Sequence, residues 1–212
     1  FAPLGLGGSL LGVVTGIGKA NAAMAMAACL VSPGPRPTLV LHVGIAGTLN
    51  NAAAGIGDIV LATSSVYGDE GVMTPIGFVG MAAIGFPLGP FGDSGIPGSV
   101  HWSERLAGEL AAVHTAEQGP RIIRASIATV STCSGTNERA ARVARQSGAV
   151  AEAMEGAAIA SVCLRMGVEF VEVRAISNTT GQRDVQIWDV AKAKASLRLI
   201  GKAVGPMADA SV

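Results

Sequence analysis

Short apolar runs alternate with turn-forming residues along the chain, and each run has the length of a β-strand. These runs occupy residues 10–15, 38–43, 57–66, 121–130 and 169–177. Apolar runs bounded by Gly, Pro, Asn or Ser are typical of strands buried on both faces of a sheet. The pattern therefore predicts a buried sheet built from these five segments.

The segments between the strands have the composition and spacing of helices. Leu106, Leu110 and Val113, for example, recur at helical spacing. The predicted helices run from residues 16–21 to about 31, over about 99–118, from the turn 131–136 to about 148, from about 155 to about 166, and over about 188–207. Repeated strand, turn and helix predict an α/β fold with helices on both faces of the sheet.

Residues 71–98 do not fit this alternation. They are rich in Gly and Pro with scattered Phe and Ile, which is too irregular for a helix and too apolar for a solvated linker. We expect an ordered loop that lies over a binding site or a subunit interface.

Composition limits the size and the setting of the fold. With 212 residues, of which 50% are hydrophobic and 14% charged, we expect a single domain over residues 1–212. The chain already runs toward an apolar stretch at Phe1, so we expect its first strand to lie upstream. Mean hydropathy is +0.49, yet no run reaches the roughly 18 apolar residues of a membrane span. A membrane is therefore not an expected partner.

The charge and the cysteines exclude further classes of protein. A formal net charge of +0 lacks the basic footprint of a nucleic-acid binder. Cys29, Cys133 and Cys163 are odd in number and widely spaced, which argues against a disulfide framework and a zinc site. We expect reduced thiols in a cytoplasmic protein, with no metal and no cofactor.

Two polar residues at the ends of predicted buried elements suggest a small-molecule site. Glu155 stands where an apolar helix begins, and Asn178 stands where an apolar strand ends. Burying either side chain without a partner would cost roughly 1 to 3 kcal/mol. Another strand ends in Gly44, Ile45, Ala46 and Gly47, where the small residues let backbone amides approach a ligand. By contrast, the turn 16–21 lacks the spacing of a phosphate loop, so a tight turn is expected there.

The order and spacing of four motifs resemble the purine nucleoside phosphorylase and nucleosidase superfamily over nearly the whole chain. The motifs are residues 44–47, 57–60, 154–158 and 174–177. The resemblance implies a three-layer α/β/α sandwich around a mixed, mostly parallel central sheet. Within the superfamily, residues 152–156, 174–178 and 183–188 most resemble the futalosine hydrolases of menaquinone biosynthesis. Those enzymes split futalosine into hypoxanthine and dehypoxanthine futalosine.

The resemblance assigns the ribose to Glu155 and Met154. Breaking an N-ribosidic bond passes through an oxocarbenium-like state, so the sugar must be held and the leaving base stabilised. By resemblance, Glu155 accepts hydrogen bonds from the ribose hydroxyls, and Met154 packs against the sugar. The alternative is a Glu155 that only favours a helix N-terminus.

Asn178 is expected to read the base. The adenosine-type nucleosidases have Asp at the matching position, whereas a neutral Asn offers both an acceptor and two donors. Its carbonyl can take N7–H while its amide donates to a 6-oxo group, so we expect a 6-oxopurine nucleoside as substrate. The alternative is an Asn that caps a turn.

The resemblance also separates hydrolysis from phosphorolysis. Bacterial phosphorylases of this superfamily have an Arg and a Ser for phosphate at the positions of His42 and Ile45. Losing both groups weakens phosphate binding, and His42 on an apolar strand is expected to be a core histidine.

The remaining site residues are expected in two polar loops. Backbone groups of Ser131 and Thr132 are expected to line the base. Arg183 is expected to pair with the benzoate carboxylate of futalosine as a bidentate partner. Trp188 is expected either to close over the ligand or to anchor the last helix to the core.

The group that activates the water has no match in the sequence. In related nucleosidases this carboxylate follows the first strand, so we expect it upstream of Phe1. Asp69 and Glu70 are alternatives near the site. Ala153 stands where many adenosine-type nucleosidases have a Glu.

Other functions remain open from the sequence alone. A methylthioadenosine/S-adenosylhomocysteine nucleosidase, a purine nucleoside phosphorylase and an inactive nucleoside-binding protein share the scaffold. The expected partners are a small-molecule nucleoside and further copies of the chain in a homodimer or a higher homo-oligomer.

Overall fold

The computed structural model describes residues 4–113 and 119–209. Strands and helices alternate through most of this part of the chain. The strands are β1 (Leu4–Gly7), β2 (Leu10–Gly12), β3 (Leu39–Thr48), β4 (Ile59–Tyr67), β5 (Gly71–Thr74), β6 (Gly77–Gly80), β7 (Ile96–Pro97), β8 (Ile122–Thr129), β9 (Ala151–Ala153) and β10 (Glu169–Thr179). The helices are α1 (Lys19–Val31), α2 (Val100–Val113), α3 (Asn137–Ser147), α4 (Gly156–Met166) and α5 (Val190–Asp209), with short 3-10 helices at Ala82–Ile84 and Arg183–Val185.

The central sheet is mixed and has the order β10-β3-β9-β8-β4-β7. The long pairings β10–β3 and β4–β8 are parallel, whereas β9 and β7 pair antiparallel with β3 and β4. Strand β4 also pairs with β10 through Ile59–Leu61 and Val173–Ala175, so five strands close into a ring. The predicted α/β class with a mixed central sheet is confirmed. The closure of the ring was not predicted.

Helices cover the sheet on both faces. Helices α1 and α4 pack against each other over one apolar cluster that includes Met26, Ile159 and Phe170. Helices α2 and α5 pack over a second cluster that includes Leu106 and Val171. Burying each large apolar side chain contributes roughly 1.5 to 3 kcal/mol, so these two interfaces hold the layers together.

A third cluster contains smaller side chains from the strands of the ring. Ala46, Ala62, Ala151 and Ile176 are buried there, together with Ile127. Alanines suit this position because strands that close on themselves leave little space between their side chains.

Three predicted boundaries were wrong. Residues 13–15 are not strand, and β2 pairs with β1 in a separate exposed hairpin. The strand predicted to end at residue 43 continues to Thr48, because residues 44–48 keep pairing with β10. Helix α5 begins at Val190 rather than Trp188, since the Asp189 carboxylate accepts a hydrogen bond from the Lys192 amide over 2.8 Å.

The segment 71–98 contains more regular structure than its composition suggested. It forms the β5–β6 hairpin, one 3-10 turn and β7. The helix predicted over 99–118 is α2, and the last part of that prediction, residues 114–118, lies outside the described residues. Among the described helices, none has both the length and the apolar character that crossing a membrane requires.

Candidate active site

Glu155 occupies the junction between β9 and α4. It is the N-cap residue of α4, yet its side chain accepts no hydrogen bond from that helix. Its Oε1 accepts from the Gly18 amide over 3.0 Å, and its Oε2 accepts from Arg174 Nη2 and the Met154 amide, each over 3.3 Å. A carboxylate has about four acceptor positions. One position on Oε1 is therefore left for a ligand.

Gly18 was missed by the sequence analysis. It precedes α1 with φ 92°, a conformation that glycine adopts without strain. This backbone conformation brings its amide to Glu155, 137 positions further along the chain. The Gly-x-Gly turn before a helix was the available signal, and it serves a carboxylate of the protein rather than a phosphate.

A buried polar network lies behind Glu155. Arg174 is 3% exposed and donates from Nε to Glu172 Oε1 over 2.8 Å, while Ser65 donates to Glu172 Oε2. Arg174 Nη1 reaches the Ile45 carbonyl over 3.4 Å. We call Ser65, Glu172, Arg174 and His42 the Arg174 network. It connects the strand interior to the candidate ribose carboxylate.

His42 is the neutral member of this network. Burial, and then the charge of Arg174, hold the pKa of His42 well below its usual value. The ring nitrogens lie 3.1 and 3.2 Å from Arg174 Nη2. Since a guanidinium only donates, the imidazole accepts. The separation of 3.9 Å between His42 Nδ1 and Glu172 Oε1 is therefore not an ion pair.

Asn178 lies at a bulge where β10 meets β3. Its register partner is Gly47, and a Cβ on Gly47 would lie 2.9 Å from Asn178 Nδ2. Ser177 Oγ donates to Asn178 Oδ1 over 2.8 Å, and Asn178 Nδ2 donates to the Thr179 carbonyl over 2.8 Å. The Ala46 carbonyl lies farther from Ser177 Oγ, at 3.2 Å, and the Ala46 side chain is buried.

The turn 131–136 is held by two carboxylates. Asp69 Oδ2 accepts from the amides of Ser131 and Thr132 over 2.8 and 3.3 Å. Glu152, which the sequence analysis did not select, accepts from the Ser134 amide over 2.7 Å and from its hydroxyl over 2.6 Å. Burial raises the pKa of Glu152, although its bonds to Ser134 oppose the shift.

Both carboxylate oxygens of Asp69 have hydrogen-bond or ion-pair partners. Its Oδ1 contacts Lys19 Nζ at 2.5 Å, and its Oδ2 also accepts from Arg139 Nη2 over 3.3 Å. Burial on its own would raise the pKa of Asp69, but the hydrogen bond and the charge of Lys19, together with the two backbone amides, lower it. Such a group is a weak base.

Arg183 and Trp188 form one exposed surface. The guanidinium lies 5.2 Å from the centre of the Trp188 ring, and Gln186 Oε1 accepts from Arg183 Nη1 over 2.9 Å. Trp188 is 46% exposed, and its backbone bridges Asn178. The loop also bonds the turn 131–136, because the Arg183 amide donates to the Gly135 carbonyl over 3.0 Å.

These contacts bring the predicted residues together in two groups. Arg174 contacts Glu155 and the Ile45 carbonyl, and the Met154 amide donates to Glu155. Gly47, Asn178 and Trp188 are joined through β10. A cavity of about 290 Å³ lies beside Thr48, Asn137 and Thr180 and contains none of the predicted site residues. Among the described residues, no group of three or more His, Cys, Asp or Glu side chains is placed to hold a metal ion.

Comparison with known proteins identifies the family to which this fold belongs. Residues 6–204 match the Phosphorylase superfamily, and the chain belongs to this family. The chain is 38% identical to the futalosine hydrolase of Acidothermus cellulolyticus, covering 72% of this chain and 58% of that protein. It is 36% identical to the futalosine hydrolase of Thermus thermophilus, covering 90% of this chain and 77% of that protein.

A solved structure supports the same architecture. The 5'-methylthioadenosine/S-adenosylhomocysteine nucleosidase of Neisseria meningitidis, in complex with methylthio-immucillin-A, superposes with a TM-score of 0.71. The match covers 90% of this chain and 78% of that one at 22% identity. At this level of identity the likeness establishes the fold alone.

Proposed function

We propose that the protein is an N-glycosyl hydrolase that cleaves the N-ribosidic bond of futalosine and releases hypoxanthine and dehypoxanthine futalosine. The two futalosine hydrolases that align over most of the chain support this substrate. The observation that carries the proposal is the fixed amide of Asn178, whose neighbours determine which atoms it presents to a base.

The free hydrogen-bonding groups of Asn178 match a 6-oxopurine base. One acceptor position on Oδ1 and one N–H on Nδ2 remain after its bonds to Ser177 and Thr179. The departing hypoxanthine offers N7–H to the first and its 6-oxo group to the second. A 6-amino group would face a donor instead, and a mismatch of this kind can reject a substrate by up to about 10⁴-fold.

Glu155 binds the ribose of the substrate. The open position on its Oε1 accepts from a ribose hydroxyl, and its carboxylate favours the positive charge that develops on the ribose in the transition state. Met154 is held to this carboxylate through its amide and packs against the sugar. The ribose therefore binds over the N-terminus of α4.

The Arg174 network supports water rather than phosphate as the acceptor of the ribosyl group. Arg174 is buried and bonded to Glu172 and Glu155, so its charge is already compensated. His42 is neutral behind it, and Ile45 presents an apolar side chain that is 39% exposed. Each of these features weakens the binding of a phosphate dianion.

The water-activating carboxylate is assigned to none of the acidic residues described above. Asp69 is a weak base that is paired with Lys19 and Arg139, Glu152 is buried and bonded to Ser134, and Glu172 has no exposed surface. Its predicted place upstream of Phe1 stays a prediction.

Arg183 and Trp188 suit the distal end of futalosine. The guanidinium is exposed, bonded to a neutral amide and stacked on an indole, so it keeps donors for a carboxylate. The benzoate of futalosine would occupy these donors. We also propose a cytoplasmic homo-oligomer. Exposed apolar side chains such as Leu4, Leu6 and Ile76 support contact with another copy of the chain.

A product assay on a panel of nucleosides tests the proposal. The purified protein is incubated with futalosine, methylthioadenosine or S-adenosylhomocysteine, with and without phosphate, and the released base is quantified. Hypoxanthine from futalosine without phosphate is expected. Adenine release alone would indicate the adenosine-type nucleosidase, ribose 1-phosphate would indicate a phosphorylase, and binding without turnover would indicate a nucleoside-binding protein.

A further inference from the structure

Glu172 is a fully buried carboxylate in the middle of an apolar strand. It has 0% exposure and lies two residues before Arg174, so both side chains leave β10 on the same face. Burying a carboxylate is costly unless its oxygens are bonded and its charge is paired. Arg174 and Ser65 supply these partners, which makes Glu172 part of a specific arrangement rather than a packing residue.

Two glycines make room for this arrangement. A Cβ on Gly156, the first residue of α4, would collide with the Glu172 carboxylate. A Cβ on Gly44 would collide with Arg174 Nη1. The Glu172–Arg174 pair therefore fills the space beneath the start of α4, directly behind Glu155.

The bond from Glu172 to Nε fixes the plane of the Arg174 guanidinium. With Nε held over 2.8 Å, Nη1 points at the Ile45 carbonyl, and Nη2 is shared between His42 and Glu155. Arg174 consequently makes a single contact of 3.3 Å with Glu155. An unrestrained guanidinium prefers two parallel bonds to a carboxylate. Such a fork would take the acceptor position on Glu155 that the ribose needs.

We infer that Glu172 is a positioning residue that keeps Arg174 in single contact with Glu155 and so leaves the Glu155 carboxylate open to the ribose. The inference rests on the proposed role of Glu155. Ser65 holds the second oxygen of Glu172 and completes the chain from the strand interior to the sugar.

Three substitutions at Glu172 separate positioning from packing. Glu172→Leu removes the acceptor, Glu172→Asp retracts it by one methylene, and Glu172→Gln keeps it. For the Leu and Asp variants, kcat/KM on futalosine should fall about 10-fold to 100-fold, mainly through KM, because one hydrogen bond to a charged group is lost. Hypoxanthine affinity should stay within about threefold, since the base contacts Asn178, and the Gln variant should stay within about fivefold of wild type.

Glu169→Leu is the matched control. It removes a carboxylate from the same strand, one that accepts from Ser99 Oγ over 2.8 Å and from Trp102 Nε1 over 2.6 Å at the opposite end. Its catalysis should equal that of wild type. Wild-type kinetics in the Asp and Leu variants would overturn the inference, and so would equal losses of nucleoside and base binding. The Asp variant keeps the measurement decisive if the Leu variant does not fold.

The wild type is assayed first, which keeps this inference distinct from the proposed function. If it cleaves another purine nucleoside and not futalosine, the proposed substrate fails and the variants are measured on that nucleoside. If it cleaves none, a crystal structure of the Glu172→Asp variant shows how many hydrogen bonds Arg174 makes to Glu155. Two Arg174 bonds to Glu155 are expected there, and a retained single contact would overturn the inference.

Discussion

Ser177 orients Asn178: its hydroxyl donates to Asn178 Oδ1 over 2.8 Å, and the amide then donates to the Thr179 carbonyl over 2.8 Å. The amide has one orientation that satisfies both neighbours. A carboxylate at this position would keep the bond from Ser177 but would place an oxygen against the Thr179 carbonyl. The contacts of Asn178 therefore fix the orientation of its amide, on which its proposed recognition of the base depends.

Asn178→Asp should shift base preference toward 6-aminopurines. The donor that matches a 6-oxo group is lost, and the mismatch with a 6-amino group is removed. We expect hypoxanthine release from futalosine to fall about 100-fold or more relative to adenine release from methylthioadenosine. The ratio of the two kcat/KM values measures this, and an unchanged ratio would mean that the base is read elsewhere.

Glu155→Ala should lower kcat/KM on futalosine at least about 100-fold, since it removes a charged hydrogen bond to the ribose and the stabilisation of the oxocarbenium ion. Glu104→Ala is the control, because Glu104 is an exposed glutamate whose Oε1 lies 3.9 Å from Arg124 Nη1. Steady-state kinetics of both variants decide the point. Activity of Glu155→Ala within threefold of wild type would remove this residue from the site.

His42 should make folding sensitive to mild acid. Its pKa is lowered in the folded protein by burial and by Arg174, so the unfolded chain binds the proton more readily. Stability is then complete above the unfolded pKa of about 6.5 and declines as pH falls below it, by at most roughly 1.4 kcal/mol per pH unit. His42→Gln keeps an acceptor for Arg174 and should lose less stability between pH 7.5 and 5. Urea unfolding of both proteins tests this, and parallel pH profiles would contradict it.

Glu152 should lower the stability of the fold as pH rises, whereas His42 lowers it as pH falls. Burial raises its pKa, so the folded protein retains the proton more readily, and stability declines as pH rises above the ordinary glutamate value of about 4.3. Glu152→Gln preserves an acceptor for the Ser134 amide without ionising. The variant should therefore gain stability relative to wild type between pH 4 and 7. Denaturant unfolding across this range is the measurement, and a pH-independent difference would contradict the assignment.

The order of elements was predictable because buried strands and their helices leave local signals. The runs 121–130 and 169–177 became β8 and β10, and the alternation gave the correct α/β class. Closure of the ring was not predictable, since it depends on β10 pairing with β4 as well as β3. These pairings join residues far apart in the chain and leave no periodicity in it.

Part of the candidate site could be selected from the sequence because polar residues stand out beside apolar strands and helices. Glu155 and Asn178 stand at element ends, where a polar residue is conspicuous. Glu172 was missed because it lies inside an apolar run, although a Glu and an Arg two positions apart in a buried strand must share a face. Gly18 was missed because its contribution is a backbone amide, and the Gly-x-Gly turn that marks its position does not show which group the amide binds.

The most direct test of the proposed function is the release of hypoxanthine from futalosine by the purified protein in phosphate-free buffer. The proposal predicts stoichiometric hypoxanthine and dehypoxanthine futalosine, at a rate that added phosphate does not increase. Release of adenine from methylthioadenosine with no hypoxanthine from futalosine would contradict it.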